Sequence, residues 1–354
     1  MTPDPVAQVE FLRSLQRLLN EGEFTATYKY ALLTALADIS VKSGDDSGAA
    51  LRIGSDEIAE KFIDYYWRQA IPYPSKPGSP AGSMDILKQN AGRQAAVVRV
   101  LADMHGVVPS GRPLKLCDRH SWQSVLKEVA VVVEKMPLWK LQTVAGEKHD
   151  FLYPDLGQGS GIELRPGVAF CFRRFYGLVT DLVRGAWLRR VRLYNSRMLD
   201  DMSDLHEFLF GGERMHLGPV RPILMDLQHG RCFYCAGSLR NAGDVDHFIA
   251  WSRYPVDLGH NFVLAHSTCN ASKGDHLAAV AHLARWAERN HDYGDQLTGA
   301  LEAIDVPGDP TTSTRVAAWA YSQNAGAVQT WVERDRFEPL PDDWERGLER
   351  LLAG

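Results

Sequence analysis

A mainly α-helical chain is what this sequence predicts, and three observations carry that prediction. Apolar residues recur at helical spacing in six segments ahead of residue 200, and the same spacing resumes after residue 277. The stretch between is built instead around paired cysteine and histidine. The six segments cover 5–19, 25–41, 55–69, 84–104, 120–134 and 166–194, and together they make one large helical region. Between the third and fourth, the run 72–83 carries four prolines and two glycines and reads as an exposed loop. Tyr65, Tyr66 and Trp67 beside it read as core aromatics rather than stacking platforms. A second irregular piece, 146–161, is expected to lead into a short hairpin through Phe151-Leu152-Tyr153 and Ile162-Glu163-Leu164. After residue 277 a helix runs to about residue 290, with Leu277, Val280, Ala281, Ala284 and Ala287 on its apolar positions. Helices over 292–304, 312–329 and 342–352 follow, the last with Pro341 just ahead of it. No internal repeat is present.

Composition sets limits. At 354 residues with 45% hydrophobic content the chain is long enough for two domains and a sizeable core. A net charge of −5 excludes a whole-surface nucleic-acid footprint, so any such surface is local. One local patch stands out: from residue 164 to 200 there are eight arginines and no lysine against two aspartates, a balance of +6. Arg173, Arg174, Arg189 and Arg190 in that segment are candidates for contacting phosphates, which gives affinity without sequence information. The alternative is an amphipathic helix whose arginines are solvated or paired with acids. The tail from Trp331 holds seven acids against four arginines and is a poor surface for DNA. Of five cysteines, Cys117 and Cys171 read as buried thiols in a reducing cytoplasm. The chain opens Met-Thr-Pro-Asp-Pro without a leader pattern, and no run of about eighteen apolar residues suggests a membrane span. A cytoplasmic protein with no membrane contact is the expectation.

The other three cysteines fall into a pattern. Cys232-x-x-Cys235 is answered thirty residues later by His266-x-x-Cys269, two tight turns that each supply two soft ligands. That spacing suits a closed, tetrahedral, structural Zn²⁺ site. Between and beyond the knuckles lie Asp246-His247, Asn261, Asn270 and Lys273. This ordered set, over 227–277, resembles an HNH endonuclease domain, the ββα-metal fold, with His247, Asn261 and Asn270 standing at the three family letters. His266 occupies a position where many relatives carry cysteine. The resemblance covers about one seventh of the chain. It implies a nuclease domain, over 216–290, and the helical spacing on either side then gives a helical domain over 1–215 for substrate or partner recognition and a helical extension over 291–354.

The chemistry that the resemblance implies is hydrolysis of a DNA phosphodiester, most naturally in a duplex. His247 is the candidate base, because imidazole titrates nearest neutral pH. Asp246 and Asn270 offer hard oxygens to a catalytic Mg²⁺ or Mn²⁺. Asn261 supports the hairpin or the imidazole, and Lys273, one helical turn past Asn270, reaches a phosphate. Neighbours on a regular strand face opposite ways, so Asp246 and His247 share one site only if the strand distorts or ends there. His229, His260, His276, His282 and His291 read as solvated or hydrogen-bonded residues, with His260 the strongest rival for a phosphate contact. Trp251 and Tyr254 read as packing under the hairpin. Restriction or anti-phage defence is the expected setting, with a homodimer or a defence-system protein as partner. The competing reading is a zinc-stabilised nucleic-acid-binding or protein-interaction module without catalysis.

Overall fold

The computed structural model describes every residue except 1, 74–84, 109–113, 117–118, 155–160, 197, 200–203, 212–216, 241–242, 324–327 and 353–354. The loop 72–83 and Cys117 therefore lie largely or wholly outside the described residues. The chain is mainly α and divides into two compact units, Met1–Gly211 and Gly212–Gly354.

In the first unit α1 (Pro5–Glu21) starts cleanly, because Asp4 Oδ1 accepts the Ala7 N–H at 2.8 Å and Pro5 sits at the first helical position. It buries Phe11, Leu15 and Leu18. The central helix α2 (Tyr28–Ser43) is buried on all sides and packs against α3 (Ser55–Trp67), α7 (Val168–Arg174) and α8 (Tyr176–Tyr194). Its one carboxylate, Asp38, is 3% exposed and accepts the hydroxyls of Tyr65 and Tyr176 at 2.6 and 2.8 Å, which offsets the cost of burying it. Around these lie α4 (Ala96–His105), α5 (Arg119–Lys135), α6 (Pro137–Lys140) and α9 (Leu205–Phe210). Two small antiparallel pairs complete the unit: β1 (Leu51–Ile53) with β4 (Ile162–Leu164), and β2 (Thr143–Val144) with β3 (Glu147–Lys148).

Three expectations for this unit are corrected. Residues 85–95 are not helical. They run beside 25–27, with Thr27 N–H donating to Gln89 O at 2.9 Å and Ala91 N–H to Thr25 O at 3.0 Å, and α4 starts at Ala96. The segment 166–194 is two helices rather than one, broken at Phe175 with φ −110°. Ile162-Glu163-Leu164 forms no local hairpin with 151–153 but pairs with β1, more than a hundred residues away in sequence.

In the second unit α10 (Val220–Leu227) leads into the cysteine knuckle. A hairpin of β5 (Asp244–His247) and β6 (Phe262–Ala265) follows, then α11 (Ser267–Lys273) and the long α12 (Val280–Glu302). The helices expected over 277–290 and 292–304 are thus one, uninterrupted. After α13 (Pro310–Ser322) the chain forms a second hairpin, β7 (Gln329–Glu333) with β8 (Arg336–Pro339), and ends in a single turn, α14 (Glu349–Leu352). Residues 342–352 hold only that turn and a 3₁₀ stretch, Trp344–Leu348.

Candidate metal centre and the hairpin beside it

The first knuckle is shaped by backbone bonds. Cys232 N–H donates to Gly237 O at 2.8 Å and Ala236 N–H to Cys232 O at 2.9 Å, closing the turn with Ala236 at φ 57°. The knuckle is tied to the hairpin through Phe233 N–H to Leu264 O at 2.9 Å. Gln228 ties it again, its amide accepting from Leu264 N–H and donating to Leu264 O, both at 2.8 Å. The second knuckle opens α11, where Asn270 N–H donates to His266 O at 2.9 Å.

These turns bring Cys232, Cys235, His266 and Cys269 together with all four ligand atoms within 4.8 Å of one another. Tetrahedral zinc with bonds of about 2.3 Å to sulfur sets its ligands roughly 3.7 Å apart. The ring of His266 is turned to serve as a ligand. Its Nε2 lies 3.1 Å from Ser238 O, to which it donates, and Nδ1 is left as the ligand atom, 3.2 Å from Cys235 Sγ. Burial pushes the Cys232 thiol up, but N–H groups of Cys235, His266 and Tyr234 outweigh it and hold the thiol below its ordinary value. Burial and the other two sulfurs push Cys269 up to about 12. Three sulfurs this close cannot all ionise without a cation between them, and the cluster can hold a metal ion such as zinc.

On the hairpin, Asp246 pairs with Val263 and His247 with Phe262 in an unbroken register that ends at His247. No bulge distorts the strand, so the distortion expected at this point is absent; the ladder instead ends at His247, the other condition for a shared site, and the two side chains engage different partners. Asp246, 8% exposed, accepts the Tyr234 hydroxyl at Oδ2 (2.6 Å) and faces Lys273 Nζ at 3.1 Å from Oδ2 and 3.5 Å from Oδ1. Burial, then the Asp246 charge, hold Tyr234 far above the usual phenol range, so it stays a donor. His247 Nε2 lies 2.7 Å from Asp257 Oδ1, and its ring stands edge-on to Phe262 and Trp251.

Asn261 is 4% exposed and grips Ile249 from both sides, Oδ1 accepting its N–H at 2.8 Å and Nδ2 donating to its carbonyl at 2.9 Å. That spans the chain leaving β5 and the chain entering β6. The preceding residue is fixed from α12: Trp286, Arg289 and Asn290 all donate to His260 O, at 2.9, 2.7 and 3.2 Å. Burial pushes the Arg289 guanidinium down to about 9, a cost met by its bonds to two carbonyls and an amide. His260 itself is 0% exposed, and burial holds its ring below the usual histidine range. Its Nε2 lies 3.1 Å from Gly294 O, so it is a packing residue sealed from solvent. Asn270 is half-buried at the middle of α11, directly after ligand Cys269.

Two phosphate assignments are corrected. Lys273 is 0% exposed, and its ammonium is taken by Asp246, His247 O (3.0 Å) and Gly274 O (3.3 Å). Arg173 is buried at the C-terminal end of α2, donating to Asp46 at 2.9 Å and to the carbonyls of Ser40, Val41 and Gly44. Cations are favoured there because the last carbonyls of a helix lack partners. Arg190 is half-buried over the rings of Phe24 and Tyr194, while Arg174 and Arg189 are exposed. Sequence reasoning missed Tyr234 and Asp257. Tyr234 lies between the two knuckle cysteines, where the spacing specifies no residue type, and Asp257 sits ten residues past His247 in a loop, and neither position follows from ligand spacing.

Comparison with protein-family models, with curated proteins and with solved structures found no match. Among the described residues no helix is long and apolar enough to cross a membrane.

Proposed function

We propose that the chain is a metal-dependent endonuclease of the HNH type that hydrolyses DNA phosphodiester bonds. One observation carries the reading. A Cys₃His cluster joins the hairpin bearing Asp246 and His247 to the helix bearing Asn270, in the chain order that the resemblance requires. A zinc ion in the cluster is structural in this reading, since all four ligands come from the protein and none is left open. His247 takes the proton of the attacking water, and Asn261 keeps the loop behind it in register. Asp246 and Asn270 would hold Mg²⁺ or Mn²⁺, a carboxylate and an amide oxygen being the hard donors such ions take. The donor set fits, with one competitor: Asp246 Oδ1 has only a 3.5 Å contact to Lys273, but that ammonium already neutralises the carboxylate. When bound, the ion supplies charge stabilisation to the phosphorane and the leaving 3′ oxygen. Of the four candidate arginines, Arg174 and Arg189 are exposed, and this reading assigns those two to a duplex backbone. Restriction or anti-phage defence is the setting we favour, by analogy with other nucleases that join this module to a helical domain.

The second reading, a zinc-stabilised binding module without catalysis, draws on that same Asp246–Lys273 pair, whose burial serves packing as well as chemistry. Plasmid incubated with Mg²⁺ or Mn²⁺ separates the two. The nuclease reading expects divalent-dependent nicking or linearisation that disappears in His247→Ala, and equal activity in both proteins would remove His247 as the base.

A further inference from the structure

We infer that Asp257 is a positioning residue for His247, fixing the proton on Nε2 so that Nδ1 is the nitrogen that takes the proton from water. This rests on the nuclease reading for its purpose, but its geometry stands apart from it. Nε2 of His247 and Oδ1 of Asp257 are 2.7 Å apart, and each side chain is 10% exposed. A carboxylate only accepts, so the bond requires the proton on Nε2. Among the described residues Nδ1 of His247 meets no hydrogen-bond partner. The ring is further held edge-on by Phe262 and Trp251, with centroids at 5.0 and 5.4 Å.

The consequence is chemical. A free neutral imidazole carries its proton on either nitrogen, and only the form bare at the nitrogen facing water accepts a proton there. Asp257 removes the wrong form and stabilises the imidazolium that forms when the proton arrives. In the step itself the water O–H bond breaks and its proton passes to Nδ1. The hydroxide oxygen bonds phosphorus as the bond from phosphorus to O3′ breaks, and O3′ leaves with the electron pair and takes a proton from solvent. The imidazolium then returns its proton to bulk water. Phe262 and Trp251, the rings packed against it, offer its nitrogens no hydrogen bond, and the Lys273 ammonium bonds the His247 backbone carbonyl, so the Asp257 carboxylate is the group bonded to a ring nitrogen.

Asp257→Asn and Asp257→Ala in the full zinc-loaded chain test the inference. An asparagine amide can turn its NH₂ toward Nε2 and drive the proton onto Nδ1, whereas alanine leaves both tautomers populated. Plasmid cleavage is therefore expected to fall by about 100-fold or more in kcat for Asp257→Asn, with KM little changed, and by less for Asp257→Ala. If Asp257 only tethers its loop, the order reverses, because asparagine keeps a hydrogen bond that alanine loses. Two-bond ¹⁵N–¹H spectra of His247 give a readout independent of cleavage: the Nε2–H tautomer in the wild type and Nδ1–H in Asp257→Asn. Wild-type Nδ1–H, or an asparagine variant at least as active as the alanine one, overturns the inference. A wild type with the Nε2–H tautomer that cleaves nothing overturns the nuclease reading and leaves the positioning of the ring intact. Zinc content and thermal melts of both variants confirm that each is folded.

Discussion

Lys273 shows how far one residue's environment can depart from what its type suggests. Its stem and ammonium are sealed from water, and its charge is balanced by Asp246 and two carbonyls. Removing one partner of such a pair strands the other, which costs far more than the pair contributes. Lys273→Met is expected to destabilise the second unit by about 3 kcal/mol in urea unfolding. The double variant Lys273→Met with Asp246→Asn is expected to recover a good part of that loss, and a double variant as unstable as the single would contradict it. Asn261→Ala belongs at the same scale. It leaves the buried N–H and carbonyl of Ile249 without partners and is expected to cost about 3 kcal/mol, read from the same unfolding curves.

Elements are set by contacts that sequence spacing reports only in part. The knuckle closes through Ala236 at φ 57°, a backbone region where a Cβ costs roughly 1 kcal/mol. Ala236→Gly is therefore expected to raise the melting temperature of the second unit by a few degrees, an unusual gain for a change to glycine. The four metal ligands were legible because soft ligands on two short turns have a fixed spacing, and the structure brings those four together. The continuity of α12 was not. The cluster Arg289-Asn290-His291-Asp292 reads as a helix end, but Arg289 and Asn290 point inward to the His260 carbonyl, so these polar residues are core contacts and the helix runs on. The β7–β8 hairpin was hidden for a similar reason. Its turn is densely charged, and what marks it as a strand pair is the burial of Thr330 and Trp331, the latter bonded through its backbone to residues 277–279. The β1–β4 pairing joins segments too distant in sequence for any local pattern to show.

At the scale of the whole molecule, two compact units, with one candidate metal cluster among the described residues, imply separable stabilities. Stripping zinc with a chelator is expected to lower the melting transition of the second unit and leave that of the first in place, seen as one shifted and one unshifted peak by calorimetry. The arginines of the first unit divide in the same practical way. On the nuclease reading, Arg189→Ala is expected to reduce the salt dependence of DNA binding by about 0.9 in slope, whereas Arg173→Gln is expected to leave the slope alone and lower stability instead. Among the four ligands Cys235 alone is exposed, with Cys232 buried and the other two half-covered. An oxidant or a competing thiol therefore reaches the coordination sphere at that sulfur first. With zinc bound, as the nuclease reading expects, peroxide damage would begin there and spread to the helix bearing Asn270 only after the ion was released, so loss of cleavage in that reading should lag behind modification of a single thiol.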